Sequence, residues 1–201
     1  MAAPSESAPT SRRRSEKSRR ATLSAALELC TENGYDKVTI EAIAARAGVS
    51  KKTIYRWWAT KGAVLLDAVT ELVVNDTPFP DTGDIDADLR THIGSLVHVF
   101  TSPVAGPAYT GILSEVLHDE RLARAVNDEL VIPRVSLVLA RMREAQEQGQ
   151  LPPGADLHLG VEMMYGPLYY RHALGRPLPS PELVDALVTH VMRALRTSVS
   201  S

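Results

Sequence analysis

A chain of 201 residues, 44% hydrophobic and 23% charged, has enough material for a sizeable core. It holds no apolar run long enough to span a bilayer, and no signal-peptide core follows its polar N-terminus, so neither a membrane nor a secreted role is expected. The single cysteine, Cys30, cannot form an internal disulfide, and the expected localisation is cytoplasmic. The net charge of −2 hides an asymmetry. Residues 1–62 carry 12 Lys/Arg against 6 Asp/Glu, and residues 63–201 carry 10 against 18, so a basic head of +6 precedes a body of −8. One end of such a chain suits a polyanion and the other does not, although a solvated basic tail would give part of the same imbalance.

Apolar residues recur at helical spacing nearly throughout, which predicts an all-α fold. Residues 1–14, rich in Ser, Pro, Ala and Arg, read as a disordered basic arm. A first helix is expected from about Ser15 to Asn33, with Leu23, Ala26, Leu27 and Cys30 inward and Gly34 as its stop. Thr39 then caps a short helix with Ile43, Ala44 and Ala47 inward. Gly48 and Val49 make a tight turn, and Ser50 caps a second short helix that reaches about Trp58. A fourth helix starts at Thr60 and ends before the breaker-rich run Thr77-Pro78-Phe79-Pro80. The body continues with stripes at Ile85, Leu89, Ile93 and Leu96, then at Tyr109 and Ile112. A long segment over residues 119–148 follows, where Pro133 is expected to kink or break the helix. Two further helices close the chain, the last capped by Ser180 with Pro181 in its first turn.

Residues 39–58 carry the chemistry. Two short helices meet at a glycine turn, small residues permit close approach, and Ile43, Val49 and Ile54 can fix the angle between them. That is the logic of a helix-turn-helix, whose second helix enters the major groove. Its exposed first turn holds Lys51, Lys52 and Thr53. A lysine can donate to guanine O6 and N7, and a threonine can meet a thymine methyl. Tyr55 offers a hydroxyl to a phosphate, and Thr39 and Lys61 begin helices whose N-termini favour one. Catalysis is not expected. The six histidines are scattered, none forms an i, i+4 pair with an adjacent acid, and no glycine-rich phosphate loop exists. His118-Asp119-Glu120 reads as a solvated helix junction, and neither a metal nor any other cofactor is expected.

Gly34-Tyr35, Thr39-Ile40, Ala47-Gly48-Val49-Ser50, Thr53-Ile54-Tyr55-Arg56-Trp57-Trp58 and Lys61 resemble the DNA-binding signature of the TetR family, over about residues 15–66. The segment Tyr165-Gly166-Pro167-Leu168-Tyr169-Tyr170-Arg171, with Gly175-Arg176-Pro177, is similar to the C-terminal region of one TetR subgroup. The resemblance implies an N-terminal three-helix helix-turn-helix head over residues 15–62 and a helical ligand-binding and dimerisation body over residues 63–201. It implies that Thr39, Tyr55, Trp57 and Lys61 contact phosphates, that Lys51, Lys52 and Thr53 face bases beyond the cap Ser50, and that Trp58 is core. Trp57 stands where many relatives carry His. Gly62 stands where a better helix former is common, which would loosen the link between head and body. The last two helices are expected to form a four-helix bundle with a second copy through Val184, Val188, Val191 and Leu195, and a homodimer implies a pseudo-palindromic operator. A small-molecule effector of unknown identity is expected to release the operator, in a pocket lined by Phe100, Tyr109, Leu113, Met142, Met163, Tyr165 and Tyr169. A repressor is the expected output, although an activator would use the same head.

Overall fold

The computed structural model describes residues 8–77 and 79–197, with side chains from residue 13 onward. Every regular element among the described residues is helical. They fall into two compact units, one built from residues 8–71 and 103–123, the other from residues 72–102 and 124–197.

In the first unit, α1 (Ala8–Asn33) starts earlier than the expected Ser15. Residues 12–20 contain no Gly or Pro, and their Arg, Lys and Glu are good helix formers. Glu16 lies 3.2 Å from Arg20 and 3.6 Å from Arg19, the i, i+4 and i, i+3 pairs that support a helix of this composition. Residues 1–7 of the expected arm lie outside the described residues. Gly34, at a φ of 82°, stops α1 and leads into the 3-10 turn Tyr35–Lys37. There follow α2 (Ile40–Ala47), α3 (Lys51–Tyr55) and α4 (Lys61–Asp76), the last of which continues into the second unit. Leu23, Ala26, Leu27 and Cys30 are buried with Ile40, Ile43, Ile54 and Trp58, which is the core the periodicity predicts. The helix α6 (Gly106–Glu115) belongs to this unit too, packed on α1 and on the 3-10 turn.

The second unit contains α5 (Ile85–Thr101), α8 (Ile132–Glu147), α9 (Leu157–Ala173) and α10 (Pro181–Thr197). Ile85, Leu89 and Ile93 of α5 are buried with Val138 and Met142 of α8, Met164 of α9, and Val188 and Met192 of α10. A charged pair lies inside this core. Arg141 Nε donates to Asp88 Oδ2 at 2.9 Å, with both residues almost wholly buried. Thr82 supplies the other carboxylate oxygen of Asp88 with a backbone N–H at 3.0 Å and a hydroxyl at 2.7 Å. Pro133 does not end the helical run. Between α7 (Glu120–Val126) and α8, residues Asn127–Val131 widen into a π-helical turn. A proline lacks the N–H and crowds the carbonyl four residues back, and a wider turn just ahead of it accommodates both while the helix continues.

Candidate nucleic-acid interface

The helix-turn-helix is fixed by its caps. Thr39 has extended backbone, and its hydroxyl accepts from Ala42 N at 3.1 Å to start α2. Gly48, left-handed at a φ of 64°, ends α2 and returns its N–H to the carbonyls of Ala44 and Ala45. Ser50 then starts α3: its hydroxyl accepts from Thr53 N at 3.1 Å and lies 2.9 Å from the Thr53 hydroxyl. Ile54 is the buried residue of α3, so its remaining side chains are free to face outward.

The outward face places Lys51, Lys52, Tyr55 and Trp57 in solvent, with Tyr55 54% and Trp57 44% exposed. Ser50, Lys52, Thr53, Tyr55 and Arg56 line one shallow concavity. Arg56 was not singled out from the sequence, although its charge lies inside the recognised motif. Its guanidinium carbon stands 5.8 Å from the centre of the Trp57 ring, within cation–π range. Lys51 is partnered: its ammonium lies 2.9 Å from Glu41 of α2. The hydrogen bond and charge of Glu41 hold the Lys51 pKa above its usual value, and Lys51 holds the Glu41 carboxyl below its own.

Lys61 points back into the chain, donating to the carbonyls of Tyr35 at 2.9 Å and Asp36 at 3.3 Å and lying 4.6 Å from the Tyr35 ring centre. An ammonium has three donors, so one remains for an outside acceptor. Trp58 is core, as expected, and its indole N–H donates to Asp67 Oδ2 at 3.0 Å. Arg19 of α1 grips the other oxygen of Asp67 at 2.6 Å and reaches Glu71 at 3.1 Å, which ties α1 and the end of the motif to α4. Gly62 lies in close packing: a β-carbon there would meet Leu122 at 3.0 Å and the Glu115 carboxylate and Tyr35 hydroxyl at 3.1 Å, so those side-chain ends would have to shift.

The expected dimer residues Val184, Val188, Val191 and Leu195 are all buried within the second unit. Leu195 lies against Gly160 of α9, where a β-carbon would come within 2.8 Å of its Cδ1. These four lie on the face of α10 that packs into the second unit. A helical periodicity shows that a face is covered, and not by what. The large apolar side chains that α9 and α10 leave exposed are Leu159, Met163, Tyr169, Tyr170 and Leu183.

A cavity of about 320 Å³ opens in the second unit among α5, α8 and α9. Of the residues expected to line a pocket, Phe100, Tyr165 and Tyr169 do so. Met142 is buried core, Met163 is exposed, and Tyr109 and Leu113 belong to the other unit. The cavity also takes in Arg134, which no sequence pattern singles out. Next to it, Tyr165 shares a 2.7 Å hydrogen bond with His92 Nε2. Burial, aided by the charge of Arg134, pushes the His92 pKa down to about 3, so this histidine is neutral.

Comparison with known proteins agrees with the motif. Residues 23–68 match the family model for bacterial regulatory proteins of the tetR family, and residues 79–191 match the tetracyclin repressor-like C-terminal domain. The HTH-type transcriptional regulator YdeS of Bacillus subtilis is 35% identical over 187 residues, covering 93% of this chain and 94% of its own. The DNA-binding transcriptional repressor TetR of Mycobacteroides abscessus is 30% identical over 177 residues, covering 87% and 92%. A crystal structure of a TetR-family transcription regulator superposes with a TM-score of 0.76 at 34% identity, over 88% of this chain and 97% of that one. No described helix is long and apolar enough to cross a membrane. With the family shown by both halves of the sequence, the chain belongs to the TetR family and is a helix-turn-helix DNA-binding transcriptional regulator, not an enzyme.

Proposed function

We propose that this regulator is a repressor that binds a pseudo-palindromic operator as a homodimer and leaves it when a small molecule fills the cavity of the second unit. The observation that carries the DNA reading is α3. Its single buried residue, Ile54, anchors it, while Ser50 caps a first turn that presents Lys51, Lys52 and Thr53. In that pose Lys52 and Thr53 meet base edges, Lys51 exchanges Glu41 for DNA, and Tyr55, Arg56 and Trp57 lie along the backbone. Thr39 and Lys61 stand at the N-termini of α2 and α4, where a phosphate is favoured.

Dimerisation is supported by the exposed apolar residues Leu159, Met163 and Tyr170 of α9 and Leu183 of α10. Residues 159, 163 and 170 recur at i, i+4 and i+11, which puts them on one helix face. The repressor reading is supported by the Mycobacteroides relative, itself a transcriptional repressor. A role on DNA supports a cytoplasmic location. The cavity supports ligand control, since it lies within the size range of small-molecule sites, ~300–1,000 Å³, and is walled mostly by apolar side chains.

The test is selection of bound fragments from sheared genomic DNA by the purified protein. The expected product is a symmetric motif with half-sites one helical turn apart, about 34–36 Å, protected by two copies of the chain. A single asymmetric site bound by one copy would remove the dimer reading, and no enriched motif would remove the operator reading.

A further inference from the structure

The cavity wall contains one buried charge without a counter-charge. Arg134 is 7% exposed and is the only basic side chain among the described residues that line the cavity. Its Nη2 donates to the carbonyl oxygens of Thr77 and, at 3.4 Å, Val73, near the C-terminal end of α4. Its Nε–H is buried with no partner, and no described carboxylate pairs with the guanidinium. Glu162, the one acid on the cavity lining, lies on an exposed position of α9. Burial lowers the Arg134 pKa, yet a guanidinium stays protonated at neutral pH. The neighbouring polar pair, His92 and Tyr165, carries no charge to offset it.

A buried cation in a largely apolar wall is poorly solvated, and two carbonyl oxygens answer only part of its field. An anion brought in on an apolar body answers the rest, and the aliphatic and aromatic walls at Leu96, Phe100 and Val161 suit such a body. A cationic ligand would meet Arg134 with like charge, and a neutral one would leave the charge unanswered. We propose that the effector is an apolar molecule carrying one carboxylate, seated in this cavity with the carboxylate toward Arg134. The inference rests on the reading of the cavity as the effector site.

Calorimetric titration of the full chain at pH 7.5 with decanoate, decan-1-ol and decylamine separates the two. These probes share a tail and differ in head charge. The expected order is decanoate tightest, by roughly tenfold over the alcohol, with the amine weakest. Arg134→Gln is expected to narrow the carboxylate advantage to less than about threefold. Val135→Trp, which places bulk on the cavity wall, is expected to weaken all three. Equal affinities, or a preference for the alcohol or amine that Val135→Trp abolishes, would keep the cavity as a ligand site and overturn the carboxylate. No heat from any probe, or binding that Val135→Trp leaves unchanged, would overturn both. The head-group comparison on the unmodified chain stands even if Arg134→Gln fails to fold.

Discussion

The Tyr35 side chain packs directly against Gly111 of α6: a β-carbon on that glycine would sit 2.0 Å from Tyr35 Cγ and 2.4 Å from its Cβ. From that seat the Tyr35 hydroxyl donates to Glu115 at 2.8 Å, and its backbone carbonyl accepts from Lys61. One glycine therefore sets the position of the turn that meets the start of α4. Gly111→Ala is expected to displace the ring and cost about 1–3 kcal/mol of overpacking, more than the helix propensity alanine restores. Gly94→Ala is the control. A β-carbon at Gly94 would meet nothing within 4 Å, so this change should stabilise by up to ~1 kcal/mol. Thermal melts of the two variants should shift in opposite directions.

The buried pair Arg141–Asp88 predicts a second contrast. Asp88→Asn leaves a buried guanidinium short of its counter-charge, and a loss of about 3–5 kcal/mol is expected by urea denaturation. Asp81 lies 3.4 Å from the same arginine but is mostly exposed, so Asp81→Asn should cost less than about 1 kcal/mol.

His92 predicts how stability depends on pH. Its folded pKa, near 3, lies below the ordinary histidine value of 6.5. The unfolded chain therefore binds the proton first as the pH falls. The contribution is fully present above pH 6.5 and is lost progressively from there towards pH 3, with a slope of up to ~1.4 kcal/mol per pH unit. Melts between pH 7 and pH 4.5 should show this slope in the native chain and a flatter one in His92→Gln.

In the proposed DNA-bound pose, Glu41 competes with DNA for Lys51. Glu41→Gln is expected to free the ammonium and remove a negative charge beside the phosphates, tightening operator binding at low salt. The gain should shrink as salt is raised, and titration of anisotropy against salt measures it.

The head was legible because its signals are local. Thr39 and Ser50 cap within three residues of themselves, Gly48 takes its left-handed turn alone, and Trp58 follows from the motif. What was not legible depends on distant partners. Gly62 reads as a weak helix residue until Tyr35, Glu115 and Leu122 are seen around it. The stripe of Val184, Val188, Val191 and Leu195 has the same pattern whether its cover is α5 and α9 or a second copy. Pro133 gives no sequence sign of the π-helical turn that absorbs it. Arg134 stands in an ordinary helical stretch, and its burial follows from residues about sixty positions away.

The reading of α3 as the base-contacting helix is tested most directly by fluorescence anisotropy on the operator recovered by selection, at one stated salt concentration, against scrambled competitor DNA. The native chain should prefer the operator by at least ~10³-fold. Lys52→Ala, at an exposed position on the outward face of α3, should weaken operator binding by about 1–3 kcal/mol and relax the preference at one base position in each half-site. A Lys52→Ala protein that binds the same operator with unchanged affinity and unchanged base preference would mean that α3 does not read the operator through this residue, and a native chain with no preference over scrambled DNA would remove the operator itself.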